Sequence, residues 1–229
     1  MQRLGHIAID GPAGSGKSTV GEQLAQRLGY LYIDTGAMYR SVAWLALQEG
    51  VNVADGPDLA KLAQHAGIVI AHPHIDDGRQ YTVTVRGLDV TWDIRNAAVT
   101  RVVSPVSAHP EVRAILIAQQ REMARQHDGI VMVGRDIGAI VLPGADLKIY
   151  LTASLRERAR RRYSELVEHL GEQNAALPTM EEVLMDIQHR DEIDKDNMRP
   201  AEDAIVIVTD NLSVPQVLEV ICSYLEEPV

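Results

Sequence analysis

The stretch Gly11-Pro12-Ala13-Gly14-Ser15-Gly16-Lys17-Ser18-Thr19 decides how this 229-residue chain is read. It follows the apolar run Ile7-Ala8-Ile9 and opens a pattern through Val20, Leu24 and Leu28 that stops at Gly29. The spacing G-x-x-x-x-G-K-[ST], between a strand and a helix, is that of a phosphate-binding loop. Its glycines let the backbone bend around a polyphosphate and aim N–H groups inward, and the helix adds the positive end of its dipole. Residues 11–19 are therefore assigned to a nucleoside triphosphate. Lys17 would reach the β- and γ-phosphates, and the Ser18 hydroxyl suits Mg²⁺.

Working outward, the composition is that of an ordinary folded chain, 46% hydrophobic and 24% charged. No apolar run approaches the ~20 residues of a membrane span. Residues 1–5 are polar and brief, so no secretory segment is expected. The lone Cys222 can form no internal disulfide, and the expected compartment is the cytoplasm. A net charge of −10 and a pI near 5.2 argue against a general nucleic-acid binder. Lysine occurs only at 17, 61, 148 and 195, so most of the 22 cations are arginine, whose planar fork grips phosphate and carboxylate bidentately.

The apolar runs at 5–10, 31–33, 130–133, 147–151 and 205–208 read as strands, and most segments between them carry helical periodicity. Ser154 caps a helix rich in arginine, the Thr179-Met-Glu181-Glu182 stretch forms a capping box, and Ser213 opens a closing helix. The pattern predicts one α/β domain, a central parallel sheet flanked by helices. Residues 62–103 differ in texture: the Val–Thr alternation at 81–85 reads as a half-exposed antiparallel strand, so a small inserted substrate lobe is expected there. The arginine helix and the polar loop after it, about 156–178, are expected to form a lid. His72-Pro73-His74 with Asp76 and Asp77 reads as a solvated hairpin loop rather than a metal site. Tyr39 and Trp44, at helical spacing, read as core or hinge packing.

Ligands of open α/β sheets gather at the carboxyl ends of strands. Four segments fall there: the phosphate loop, Asp34-Thr35-Gly36, Gly134-Arg135-Asp136 and the arginine helix. In this setting Asp34-Thr35-Gly36-Ala37-Met38-Tyr39-Arg40, Gly87-Leu-Asp-Val90 with Ile94-Arg95, Val103-Ser104 and Pro110-Glu-Val-Arg113 resemble the bacterial cytidylate kinase family. So do Gly134-Arg-Asp-Ile-Gly138, Glu157-Arg158-Ala-Arg-Arg161-Arg162 and Arg190-Asp-Glu-Ile-Asp194, and the likeness runs from Ile7 to about Ser213.

The resemblance implies phosphoryl transfer from ATP to CMP or dCMP. It implies that Lys17 bridges the transferring group and that Arg40 and Arg135 hold the acceptor phosphate, with Thr35 beside them. Ser104, Arg113 and Asp136 would read the base, and Arg190 and Asp194 would contact the sugar and the reaction centre. Arg158 would lie over adenine, with Arg161 or Arg162 closing on the polyphosphate from the lid; Arg158 and Arg162, at i and i+4, would share a ligand-facing side. ATP with Mg²⁺ and the two monophosphates are the expected ligands, with no nucleic acid and no membrane, and the chain is taken as a monomer.

The chemistry supports a cationic site, because two anions must be brought into reacting distance and positioning supplies most of the rate. An ionised phosphate oxygen is already a nucleophile and needs no base. A carboxylate such as Asp136 can accept from the cytosine amino group, while uracil would turn a carbonyl oxygen toward it. In the family pattern a further arginine stands seven positions after the Arg190 pair. Here that position is Asn197, and Arg199 is expected to take over. Asp34 and Asp136 are the candidate carboxylates near Mg²⁺. Two other readings stay open: a phosphate-loop kinase for another monophosphate or small metabolite, and a nucleotide-gated module. Against the second, the chain lacks the Asn-Lys-x-Asp of guanine readers.

Overall fold

The computed structural model describes residues 5–171, 174 and 177–226. The first four residues of the polar start, and part of the 171–178 loop, lie outside them. In chain order the elements are β1 (His6–Asp10), α1 (Lys17–Leu28), β2 (Leu31–Asp34), α2 (Thr35–Glu49), α3 (Gly56–His65), β3 (Val69–Ala71), β4 (Thr82–Val85) and β5 (Leu88–Asp89). There follow α4 (Ala97–Ala108), α5 (Pro110–Arg125), β6 (Ile130–Val133), a π-helical turn (Ile137–Val141) and β7 (Leu147–Thr152). The chain closes with α6 (Leu155–Leu170), α7 (Met180–Asp194), β8 (Ile205–Val208) and α8 (Val214–Glu226).

Five strands form one sheet in the order β2-β6-β1-β7-β8, every neighbouring pair parallel. The inner strands are apolar throughout because helices cover both faces: all four residues of β6 are buried, and so are Ile7, Ala8 and Ile9 of β1. Register aligns the ends that matter, with Val133 beside both Ile9 and Asp34, and Asp10 beside Tyr150. The carboxyl ends of β1, β2 and β6 thus open side by side onto one edge.

The expected parallel core stands as read. Between α3 and α4 the chain leaves it for a three-stranded antiparallel sheet, β3-β4-β5. Its hairpin turns at Arg86-Gly87, both at positive φ (51° and 80°), as a two-residue turn of that hand requires. Arg86 is anchored there by an ion pair to Glu49 at 2.6 Å and a hydrogen bond to the His65 carbonyl. The turn at 72–78 holds no metal cluster among the described residues; His74 faces the Thr82 hydroxyl at 3.1 Å.

The helix α4 has no counterpart in the sequence reading. Its first turns are β-branched (Val99, Thr100, Val102, Val103) and Pro105 lies inside it, both weak helix signals. The Asn96 side chain starts it by accepting from the Val99 amide at 2.9 Å. The helices α6 and α7 pack on each other through a small cluster of their own, Ala159, Val183 and Ile187, separate from the main core. The predicted caps form as expected, Ser154 accepting from the Glu157 amide and Thr179 closing a capping box with Glu182.

Candidate active site

The phosphate loop is built by backbone that only glycine tolerates. Gly11 sits at φ 144°, and a Cβ there would lie 1.9 Å from the Leu151 carbonyl oxygen. Gly16, at φ 95°, begins α1 with no side-chain cap, and no acidic residue occupies the first turn. The amides at that helix start are therefore aimed at the cleft without an internal acceptor, which is the arrangement an anion needs. Lys17 is buried, and its ammonium donates to the Pro12 carbonyl at 2.6 Å. Burial, then the charge of Arg135, pushes it well below the ordinary lysine range.

The loop forms one wall of a cleft of about 360 Å³. Ala13, Gly14, Gly16, Lys17, Ser18 and Thr19 of the loop line it together with Asp34, Thr35, Tyr39, Arg40, Ser104, Arg113, Arg135 and Asp136. Arg162, Arg190, Asp194 and Asn197 approach from α6, α7 and the turn that follows. Most of the residues expected to hold donor and acceptor thus meet in a single space. Tyr39 belongs to this wall and not only to core or hinge packing.

Carboxylates hold nearly every arginine of the cleft. Arg113 of α5 donates to Asp136 after β6. Arg135 donates from Nε to Asp194 at 3.0 Å and from Nη1 to the Gly11 carbonyl at 2.9 Å. Arg162 pairs with Glu165 and Arg190 with Asp186, each at 3.0 Å. Arg40 differs: its Nη1 donates to the Thr100 hydroxyl at 2.9 Å and, at 3.5 Å, to the Ile94 carbonyl. Among the described residues, Arg40 and Lys17 are thus the cleft cations whose hydrogen bonds all go to neutral oxygens. Thr35 is anchored by donating to the Val133 carbonyl at 2.9 Å.

Three of the expected residues, Arg158, Arg161 and Arg199, are not among those that line the cleft. Arg158 is not on the cleft. It is 5% exposed, clamped to Asp191 by two bonds of 3.1 and 2.6 Å, and donates to the carbonyls of Ala13 and Ala153. The i, i+4 spacing therefore does not bring Arg158 and Arg162 to one ligand-facing side, because Asp191 on α7 captures the first. Arg161 donates to the hydroxyl and carbonyl of Thr209, beside Gly16 of the phosphate loop, and Arg162 is the arginine of α6 that lines the cleft. Asn197 lines the cleft, whereas Arg199 is exposed and is not among the lining residues.

Among the oxygen-bearing side chains that line the cleft, Ser18 and Asp34 are candidates for a hard cation. Asp34 caps α2 with one oxygen, accepting from the Gly36 amide at 2.9 Å, and its other oxygen accepts from Tyr81 at 3.3 Å. Asp136 is committed to Arg113, which leaves Asp34 the better candidate. Sequence reasoning did not single out Asp10, Thr100 or Asp191. Asp10, a polar residue ending an apolar strand before the loop, was the one with a visible signal.

A parallel sheet that opens a phosphate loop and an arginine cluster onto one cleft defines a phosphate-loop kinase of the α/β class. A family model described as cytidylate kinase matches residues 7–227, and the chain belongs to that family. A cytidylate kinase of Roseiflexus castenholzii is 46% identical over 216 residues, 94% of this chain and 90% of the relative. One from Chloroflexus aggregans is 48% identical over 207 residues, 90% and 87% of the two chains. At the level of fold alone, the crystal structure of a shikimate kinase from Bacteroides thetaiotaomicron is similar with a TM-score of 0.50. It is 13% identical, over 98% of this chain and 99% of that one. Among the described residues no helix is long and apolar enough to cross a membrane.

Proposed function

We propose that this chain transfers the γ-phosphoryl group of ATP to CMP and dCMP, giving the nucleoside diphosphate and ADP. The observation that carries the proposal is that one cleft joins the phosphate loop to Arg40, Arg135, Ser104, Arg113 and Asp136. A hydrolase or a nucleotide-gated module needs the first and has no use for the others.

On this reading the loop amides and Lys17 hold the donor phosphates, and polyphosphate displaces the Pro12 carbonyl from the Lys17 ammonium. Negative charge beside it also reverses the effect of burial and favours the ammonium form. Arg40 and Arg135 hold the acceptor phosphate, whose ionised oxygen attacks in line, with Arg190 at the sugar and the reaction centre. Asp136 accepts from the cytosine amino group, while Arg113 and Ser104 donate to its ring acceptors. Asp194 contacts the sugar, and Arg162 closes over the transferring group. Mg²⁺ held at Ser18, with Asp34 nearby, would neutralise phosphate charge when bound.

The separate small core of α6 and α7 supports a lid that moves as a unit, and closure excludes water so that ATP is not hydrolysed. The antiparallel sheet between α3 and α4 belongs to the acceptor-side lobe. Arg158 supports the loop from behind instead of stacking on adenine. A cytoplasmic monomer completes the reading.

The test is ADP release measured with CMP, dCMP, UMP and AMP in turn. CMP and dCMP are expected to lead, with UMP and AMP poor; preference for AMP, or release independent of any monophosphate, would sink the reading.

A further inference from the structure

Two residues beside the cleft have no part in the roles above: Gly138, last of the Gly134–Gly138 run, and Asp10, the carboxylate that ends β1. We propose that Asp10 is a positioning residue of the acceptor side, fixing the turn that carries Arg135 and Asp136 against the phosphate loop. The proposal rests on the acceptor reading given above and adds to it the device that sets the acceptor groups at their distance from the donor.

Asp10 is 3% exposed, and both its oxygens are engaged. Oδ1 accepts from the Ile137 amide at 2.7 Å and Oδ2 from the Gly138 amide at 2.8 Å. These two amides follow Asp136 directly and open the π-helical turn, where no side chain caps them locally. The adjacent residue holds the same segment by its side chain, since the Gly11 carbonyl accepts from Arg135. Two consecutive residues entering the phosphate loop therefore grip the backbone and the side chain of one acceptor segment.

Gly138 follows from the same packing. A Cβ there would lie 3.4 Å from Asp10 Oδ2 and 3.2 Å from Cγ and Cδ of Lys148. A larger residue would touch the carboxylate and crowd the Lys148 methylenes, so that the turn or the lysine must shift slightly.

Only a carboxylate satisfies two converging amides. Asparagine offers one oxygen and turns an NH₂ group toward the second N–H. The charged groups around Asp10 are Lys17 of α1 and Asp136 of the turn, with Lys148 of β7 packed beneath. Burial pushes the Asp10 carboxyl up to about 6, against the pull of the two amides and of Lys17 and with the push of Asp136. In mildly acid solution the group takes up a proton, and one amide loses its acceptor.

The experiment compares wild type, D10N and G138A by amide NMR and by steady-state kinetics. In wild type the Ile137 and Gly138 amide resonances are expected to titrate with a midpoint near pH 6; in D10N they do not. D10N is expected to raise KM for CMP by about tenfold or more and to erode the preference for CMP over UMP, with KM for ATP within about threefold. G138A, which keeps the carboxylate, moves KM for CMP in the same direction by less. Ile137 and Gly138 amide resonances that are the same in D10N as in wild type overturn the proposal. So does a folded D10N with unchanged KM for CMP, or with KM for ATP rising in step. If D10N does not fold, the wild-type titration and G138A decide the matter. A wild type that turns over no CMP refutes the acceptor reading instead, and the amide titration still reports whether Asp10 holds the turn.

Discussion

Arg113 and Asp136 are ion-paired across the wall of the cleft, joining α5 to the turn after β6. The pair is mostly buried, with 17% and 9% of the two side chains exposed, and Ser104 of α4 lines the same end. Each partner offers hydrogen-bonding capacity that a cytosine edge can share, acceptor from one and donor from the other. Replacing Asp136 with alanine leaves Arg113 partly buried without its counter-ion and removes the acceptor that distinguishes an amino group from a carbonyl. Asp136→Ala is therefore expected to lower kcat/KM for CMP by about 10²-fold or more while changing that for UMP far less. Equal losses on the two substrates would show that the pair is structural.

Thr100 holds Arg40, the cleft arginine that among the described residues has no hydrogen bond to a carboxylate. Its hydroxyl accepts from Arg40 at 2.9 Å, tying α4, which carries Ser104, to α2, which carries Arg40. Thr100→Val keeps the shape and removes the acceptor. It is expected to raise KM for CMP about three- to tenfold, as loss of a single hydrogen bond to a charged group would, and to leave KM for ATP unchanged. Thr100→Ser restores the hydroxyl and should recover most of the loss. A serine variant no better than valine would mean that the methyl packing matters and the hydrogen bond does not.

What the chain makes legible follows from how local each signal is. The phosphate loop and the parallel strands are written in contiguous residues, glycines at fixed offsets and runs such as Ile130–Val133, so they can be read without neighbours. The acceptor segments were legible through a family pattern of short motifs. The helix α4 was not, because its Val- and Thr-rich turns and Pro105 hide a helix stabilised by packing and by the Asn96 cap. Nor were the ion pairs. Which carboxylate meets Arg135 or Arg158 depends on how α7 lies against the sheet, 59 and 33 residues away along the chain. The pairing of Arg158 with Asp191 was hidden for this reason, since helical spacing fixes a face and not the neighbour that face will meet. Arg199 shows the same limit, since proximity in sequence to Asn197 does not place it on the cleft lining.

The Arg158–Asp191 pair joins the phosphate loop to α7, because Arg158 also donates to the Ala13 carbonyl. Its guanidinium side chain is only 6% exposed. Asp191→Asn should leave a buried cation without its counter-charge and cost about 3 kcal/mol of unfolding free energy. Arg160→Ala is the matched control, since the Arg160 side chain of the Arg160–Glu157 pair is 61% exposed and screened by water, and its loss should leave stability where it was. Urea unfolding of the two variants beside wild type separates them. If both behave alike, Arg158 gains its stability from the two carbonyls alone.

Asp10 gives the stability of this protein a pH dependence of unusual sign. Its carboxyl is raised from 3.8 to about 6 by burial, so between those values the folded chain binds a proton that the unfolded chain has released. Stability contributed by this group is fully present below the unfolded value and is lost as pH rises through about 6. A shift of this size corresponds to about 3 kcal/mol, on the order of 1.4 kcal/mol per unit. Other carboxylates slope the opposite way: Asp89 and Glu157 are held low by arginine hydrogen bonds, to Arg79 and to Arg160 and Arg161. They are common to wild type and D10N, and their effects cancel when the two are compared. D10N is therefore expected to gain on wild type as pH rises from 4 to 7.5, by an amount of the order given, in urea unfolding at each pH. A difference that stays constant across that range would mean that Asp10 is ionised in the folded protein throughout. A gain would mean that the charge is kept at neutral pH at the expense of the fold, for the sake of the turn it holds.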